Sequence, residues 1–446
     1  MSKKSTYILL VTIFIALSAF IILRYDGKEN TVAFFPLQER KGLLAQSAEW
    51  ASVKTSGESL IRIVREDPDN TKKALELASL YIREARVTGD FAYYDKAAMT
   101  YITKVLQKEP GHFQALTLQS LIYLSQHHFA EGLAVAEKAH RQNPYNAFVY
   151  GLLVDACVEM GAYDSAVANA DRMMAIRPDI RSYARVSYLR EIHGDYPGAI
   201  DAMKMAVDAG GEGDETTEWT RIQLARLYES TGDLKRAEMH YLIALEERPG
   251  YAYALAGLGH LAATAGAYPK ALQYYQQADS AVQDYALKEQ IGQLYLLMGE
   301  KKKGEAIIQK MISDMNAEAG NGKDDGTVGH YSDRELAYAW LLVGNGDKAL
   351  LHAKAEYERR PLNIDVNETL AWVYYKTGAI QKALPFINAA LKTHSVNPVL
   401  LNRAGLIYAA AGDKVRAKEL LILGTRNQPS IDVSLLQEAR AVLKNL

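Results

Sequence analysis

Beyond Pro36, apolar residues recur at three-and-four spacing, and the runs are broken every twelve to fifteen residues by Gly-Asp, Gly-Ala or Pro. That period belongs to amphipathic helices of a few turns, so the pattern predicts a chain that is helical almost throughout. The breaks also keep register. A small residue falls on the second helix of each expected pair, at Ala98, Gly132, Ala166, Ala199, Ala237, Ala271, Gly304, Ala349, Ala383 and Ala417, with gaps of 34, 34, 33, 38, 34, 33, 45, 34 and 34 residues. Twelve residues earlier, on the first helix, lie Ser120, Val154, Ser187, Ala225, Gly259, Gly292, Ala337, Ala371 and Gly405; the first unit reaches Ala78 only across an insertion. Antiparallel helices approach closely only where side chains are small, so these pairs predict a helical hairpin repeated about ten times.

Three residues beyond the first-helix position a large residue recurs, as Tyr81, Tyr123, Tyr228, Tyr295, Trp340, Tyr374 and Tyr408, and fills the space the small ones leave. Between the helices, Gly161, Gly194, Gly232, Gly266, Gly299, Gly378 and Gly412 can turn left-handed. Pro110, Pro144, Pro178, Pro249, Pro361 and Pro429 then stop most units. Extra residues appear around Gly89-Asp90-Phe91-Ala92, the fourth unit ends in Gly210 to Gly213, and 317–329 is polar and glycine-rich.

These positions carry a resemblance. In Arg221 to Pro249, Leu224-Ala225, Tyr228, Gly232, Ala237, Tyr241, Ala244 and Pro249 follow the pattern of the tetratricopeptide repeat family, and 367–381 follows it again. Across roughly residues 70–429 the chain resembles that family, and its layout is similar to that of bacterial membrane-associated proteins of the same kind. The resemblance implies an all-α, right-handed superhelical solenoid whose first helices line a concave groove that holds a protein or peptide.

Under the family's geometry the groove receives Phe148, Asp155 and Glu159, then Arg181, Arg185, Tyr188 and Glu191, then Trp219, Gln223, Arg226 and Glu229, then Tyr253 and His260. A second cluster holds Arg334, Tyr338, Glu368, Trp372, Tyr375 and Lys376. Arginine takes a carboxylate through two parallel hydrogen bonds, and aromatic faces give contact area at low ordering cost. The arginines and acids can equally pair with one another along a solvated surface. Trp219 and Trp372 are the two least readily read as core. The family's chaperone-tail clamp fails in the second unit, where Gln114, Thr117 and Leu121 stand at its positions.

The expected organisation is a stub at 1–6, a membrane anchor at 7–23, a linker at 24–37 and leading helices at 38–69. About seven repeats at 70–316, a flexible loop at 317–332, about three repeats at 333–429 and a polar-faced closing helix at 430–446 complete it. The anchor rests on Tyr7 to Leu23, seventeen residues without charge, flanked by Lys3, Lys4 and Arg24. Small residues at Ala16-Leu17-Ser18 offer the rival reading of a cleaved signal and a secreted, soluble protein. The flanking charges are nearly balanced, and a long body after a short stub favours placement outside the cytoplasm, periplasmic in a bacterium.

Composition narrows function. Lys and Arg total 51 against 53 acids, so no basic field exists to hold nucleic acid. The lone Cys157 forms neither an internal disulfide nor a cysteine-based zinc site, and is expected to be a buried thiol. No Gly-x-Ser-x-Gly turn, His-Glu-x-x-His pair or phosphate-cradling loop occurs, and Gly257-Leu258-Gly259 reads as helix packing. His127-His128 occupies a turn and is expected to be solvated, and Asp324-Asp325-Gly326 lacks a calcium loop's ligand pattern. The expectation is a membrane-anchored, non-enzymatic interaction scaffold with a protein or peptide partner, no cofactor and no metal. An enzyme would require acids or histidines converging in a concave pocket.

Overall fold

The computed structural model describes residues 12–15, 17–18, 34–320, 329–426 and 432–446. Among them all regular elements are helical. After a 3-10 turn at Gly42–Gln46 and helix α1 (Ala48–Glu66) come ten hairpins. They are α2 (Thr71–Thr88) with α3 (Phe91–Lys108), α4 (Phe113–Ser125) with α5 (Phe129–Gln142), and α6 (Ala147–Glu159) with α7 (Tyr163–Ile176). Next are α8 (Ile180–Ile192) with α9 (Tyr196–Asp208), α10 (Glu215–Ser230) with α11 (Leu234–Glu247), and α12 (Ala252–Thr264) with α13 (Tyr268–Ala281). The last four are α14 (Tyr285–Leu297) with α15 (Lys301–Gly320), α16 (Asp333–Leu342) with α17 (Gly346–Arg359), α18 (Ile364–Lys376) with α19 (Ile380–Ala390), and α20 (Pro398–Ala410) with α21 (Lys414–Arg426). Helix α22 (Val433–Lys444) ends the chain.

The hairpins cross where the small residues are. Ser120 Oγ donates to Gly132 O at 2.8 Å, and Ser187 Oγ to Ala199 O at 2.7 Å, each a pair twelve residues apart. A Cβ on Gly304 would stand 2.7 Å from Gly292 O, closer than any real contact, so that crossing admits only glycine. Ala98, Ala166, Ala199, Ala237, Ala271, Ala349, Ala383 and Ala417 are fully buried. Asp, Asn and Ser side chains cap the helix starts, among them Asn70, Asp90, Asn146, Asp195, Asp233 and Asn345, by accepting backbone N–H groups that have no partner inside the helix.

Every hairpin turn holds one residue at positive φ. Nine are glycines, and the second hairpin uses His127 at φ 63°. The extra residues of the first unit lengthen α2 and α3 to 18 residues each rather than enlarging the turn. Helix α15 continues through Ala317 to Gly320, past the point where the loop was expected to begin; residues 321–328 lie outside the described set.

The superhelix is tight enough that its second turn rests on its first. The amide of Gln283, before the seventh hairpin, donates to Thr88 O in the first at 2.9 Å. Tyr331 N, before the eighth, donates to Gln126 O in the second at 3.1 Å. Asn363 Nδ2, before the ninth, donates to Glu159 O in the third at 3.0 Å, and Ile364 N to Tyr163 Oη at 2.9 Å. His394, before the tenth, lies against Gly194 in the fourth, where an added Cβ would stand 2.8 Å from its carbonyl oxygen. The offset is constant, which turns a curved ribbon into a closed coil with an interior. At the start, Arg40 is buried between Glu84 and Glu49, and Glu49 reaches Arg248 at 2.8 Å, so the leading segment is tied into the coil.

His127 and His128 are not solvated. His128 stacks on Tyr331 at 3.8 Å between ring centroids, and its Nε2 donates to Gly329 O at 2.6 Å; the second superhelical turn covers them. The expected anchor at 7–23 lies outside the described residues except for 12–15 and 17–18. Among the described residues no helix is long and apolar enough to cross a membrane.

Candidate functional site

The interior face is built from the first helices. The residues that follow small crossing positions include Tyr188, Arg226, His260, Tyr338 and Trp372, and of these Tyr188 and Tyr338 line an interior cavity. Three positions before the crossing lie Glu289, Arg334 and Glu368, and two before it lie Arg185 and Arg403.

Much of this surface is already paired. Arg185 grips Asp155 through Nε at 2.8 Å and Nη2 at 2.5 Å, and also reaches Gly151 O at 3.1 Å. Arg181 stands 5.4 Å from the Phe148 ring centroid. His260 Nδ1 lies 2.6 Å from Glu229 Oε2, and Glu229 also accepts from the Tyr241 hydroxyl. Burial opposes a charge on His260, but the hydrogen bond and charge of Glu229 outweigh it and hold its pKa above the usual histidine value. Tyr253 is half-buried and meets Tyr251 edge-on at 5.5 Å. Tyr338 shares a 3.0 Å hydrogen bond with Thr369 and accepts from Arg403 at 2.7 Å.

Trp219 and Arg226 differ. They lie seven residues apart on one face of α10 and are both exposed, Trp219 by 38%. The positive charge of Arg226 acts on Glu191, His260 and Asp284, from α8, α12 and the start of α14, which places it inside the coil. Among the described residues no carboxylate pairs directly with Arg226 or with Arg334, whose Nε donates only to Thr369 Oγ1 at 3.3 Å.

A cavity of about 430 Å³ joins residues from the fourth, seventh, eighth, ninth and tenth hairpins: Tyr188, Glu191, Glu289, Arg334, Asp365, Glu368 and Arg403 among them. Burial pushes Glu191 and Glu289 up to about 7, against Arg226 in the first case and a hydrogen bond from Gln293 in the second. Glu368 is also raised by burial, which its 3.2 Å contact with Arg403 only partly offsets. A larger void of about 1020 Å³ lies between Asp90, Gln283–Ala286 and His330, and holds only Tyr253 of the predicted groove residues. Glu289 and Arg403 were absent from the sequence reading. The register that selected Arg334 and Arg185, carried to the seventh and tenth hairpins, selects them.

Trp372 is the clearest departure. It is 6% exposed, packed with Leu406, Leu421, Leu435, Leu436 and Ala439, because α22 lies over it. Tyr375 Oη donates to Glu438 Oε1 at 2.8 Å, and Lys376 Nζ to Glu438 Oε2 at 2.7 Å. Cys157 is buried as expected, and burial raises its thiol pKa. Among the described residues no group of three or more His, Cys, Asp or Glu side chains is arranged to hold a metal.

No curated protein matches the chain. A thermophilic repeat protein of Thermus thermophilus is 21% identical, over 40% of this chain and 92% of its own, with TM-score 0.35. The human IFIT1 dimer with PPP-AAAA is 15% identical, over 77% of this chain and 79% of its own, with TM-score 0.47. Cut9, in the APC/C hetero-tetramer Cut9-Hcn1, is 13% identical over 89% and 73%, with TM-score 0.39. Residues 222–286 match the tetratricopeptide repeat family, and they span the fifth and sixth of ten hairpins built on one register. The chain is a tetratricopeptide repeat protein.

Proposed function

We propose that this protein is a non-enzymatic interaction scaffold that holds a protein or peptide segment against the interior face of its coil. The observation that carries the reading is the pair Trp219 and Arg226: exposed, unpartnered among the described residues, and on one face of α10 inside the closed turn. An aromatic face beside a free guanidinium suits a segment bearing an apolar side chain and a carboxylate. Arg181, Tyr188, Tyr253 and Arg334 extend this surface. Arg185, His260, Tyr338, Trp372 and Tyr375, engaged within the chain, shape it.

The charge-free run at 7–23 with its basic flanks supports tethering to a membrane, with the body outside the cytoplasm. Co-purification of the full-length, C-terminally tagged chain from crosslinked membrane and soluble fractions tests both parts. A specific companion in the membrane fraction, released by Trp219→Ala with Arg226→Glu, is the expected result. A shortened soluble chain with no companion affected by those substitutions would refute it.

One observation favours a second reading, in which the cavity does acid–base chemistry. Glu191 and Glu289, both near 7, stand in a concave site with Arg334. Turnover of simple ester or glycoside substrates by the purified chain, lost in Glu289→Gln, would support it over the scaffold.

A further inference from the structure

The closing helix α22 exposes Ser434, Gln437, Arg440 and Lys444 on one face, while on the other Leu435, Leu436 and Ala439 are buried and Val442, Leu443 and Leu446 are half-buried in one cluster. The surface they cover is not only the end of the last hairpin. It includes Trp372 and Tyr375 of α18, stacked at 5.0 Å between centroids, with Arg403 of α20 standing 5.1 Å from the indole. These are first-helix residues, and Trp372, Tyr375 and Lys376, which share a cluster or a hydrogen bond with α22, belong to the concave cluster predicted to bind a partner.

The helix sits as a ligand would. Its apolar ridge fills the aromatic floor, and one carboxylate, Glu438, takes two directed hydrogen bonds at the edge, from Tyr375 and Lys376. It buries no more of itself than the second helices α19 and α21 beside it, and no hairpin partner follows it. Three of its residues are buried, against ten in α18. A helix of 12 residues draws little stability from itself, so its docking rests on that small contact.

We infer that α22 is an internal ligand of the groove formed by α18 and α20, and that this groove binds an amphipathic partner helix carrying adjacent leucines and a carboxylate one turn on, which displaces α22. The inference rests on the scaffold reading and names the partner's chemistry at one part of its surface. With α22 seated, Trp372 is closed; with it lifted, Trp372, Leu406 and Leu421 form an open apolar floor beside Lys376 and Arg403.

The test uses the full chain and, as probe, a fluorescein-labelled peptide of residues 432–446, followed by polarisation. The wild-type chain binds weakly, because its own helix competes at high local concentration. Leu436→Asp unseats α22 and leaves the floor intact, so apparent affinity rises about tenfold or more, by the fraction of open groove gained. Trp372→Ala added to that chain removes binding, as does Leu436→Asp in the peptide. Glu438→Lys, which keeps the apolar ridge and repels Lys376, serves if the first variant loses helicity, and it also tightens binding. If neither well-folded variant binds the peptide better than wild type, α22 is a structural cap and the inference is wrong. That result leaves the Trp219 and Arg226 surface untouched, since co-purification there is read independently.

Discussion

The backbone amide of Gln283 donates to the carbonyl of Thr88 at 2.9 Å, and this bond joins the linker before the seventh hairpin to the turn of the first. It begins a ladder that Tyr331, Asn363 and His394 continue at the same offset. The interior surface exists because of that ladder: without it the cavity lined by Tyr188 and Arg334 would be two separate faces.

Glycines in the ladder should therefore be less replaceable than glycines outside it. Gly161 has φ 77°, and a Cβ there would lie 2.3 Å from Leu362 backbone atoms, whereas Gly378 has φ 79° and nothing within 4 Å. Alanine at either position costs about 1–2 kcal/mol for the left-handed backbone. Gly161→Ala should lose a further 1–3 kcal/mol or so by overpacking and enlarge the radius of gyration, while Gly378→Ala keeps the shape. Chemical denaturation and small-angle X-ray scattering read the two effects; equal behaviour would show that the turns do not touch.

Acid should loosen the ladder at its second rung. Burial pushes His330 down to about 3, with His127 and His128 adding repulsion, and burial lowers His128 as well. Glu131 and Arg359 face the same cluster from α5 and α17. The folded chain resists a proton that the unfolded chain accepts near 6.5. The contribution is therefore intact above that pH and declines as pH falls from 6.5 toward 3, by up to about 1.4 kcal/mol per unit for each fully coupled histidine. Glu191 and Glu289, raised to about 7, act in the opposite sense and favour the fold more as pH falls from 7 toward 4.5. His330→Phe should flatten the acid side of a melting-temperature profile and leave the neutral side in place.

The hairpin crossings make a sharper demand. Ala237 is fully buried, and a Cβ on Gly259 would already press the Tyr275 ring at 3.1 Å. Ala237→Leu and Gly259→Leu should each cost about 1–3 kcal/mol or more in urea unfolding. A neutral result would undermine the register on which every groove position depends.

Arg185 and Arg226 look interchangeable in the sequence but should not behave alike. Arg185→Glu puts a carboxylate against Asp155 and should lower stability as well as any binding, whereas Arg226→Glu, which breaks no direct ion pair, should cost less in thermal unfolding than Arg185→Glu and still weaken partner recovery. Comparing melts with co-purification separates the two.

The hairpins were legible because their determinants are local. Ser187 and Ala199 sit twelve residues apart, and a single turn fixes their approach. The ladder was not, because it depends on small rotations accumulated over six hairpins, and Asn363 or Tyr163 alone carries no mark of a partner two hundred residues away. The burial of Trp372 is hidden for a related reason: it depends on Leu435 and Leu436 of α22, more than sixty residues away, and the register of α18 alone carries no mark of them. His127 showed the turn position but not the burial of His128 beside it, since the covering residues Gly329 to Tyr331 follow the longest gap in the repeat.

Closure of the coil is the claim on which the interior surface stands, and it has a direct measurement. Nitroxide labels at Asp164→Cys and Leu362→Cys, both exposed sites beside the Gly161 contact, can be placed in a chain whose buried Cys157 is replaced by Ser. Double electron–electron resonance should then give one narrow distribution at the short end of the measurable range. A broad distribution at long distance would mean that the solenoid is open in solution, and that Tyr188 and Arg334 do not share a site.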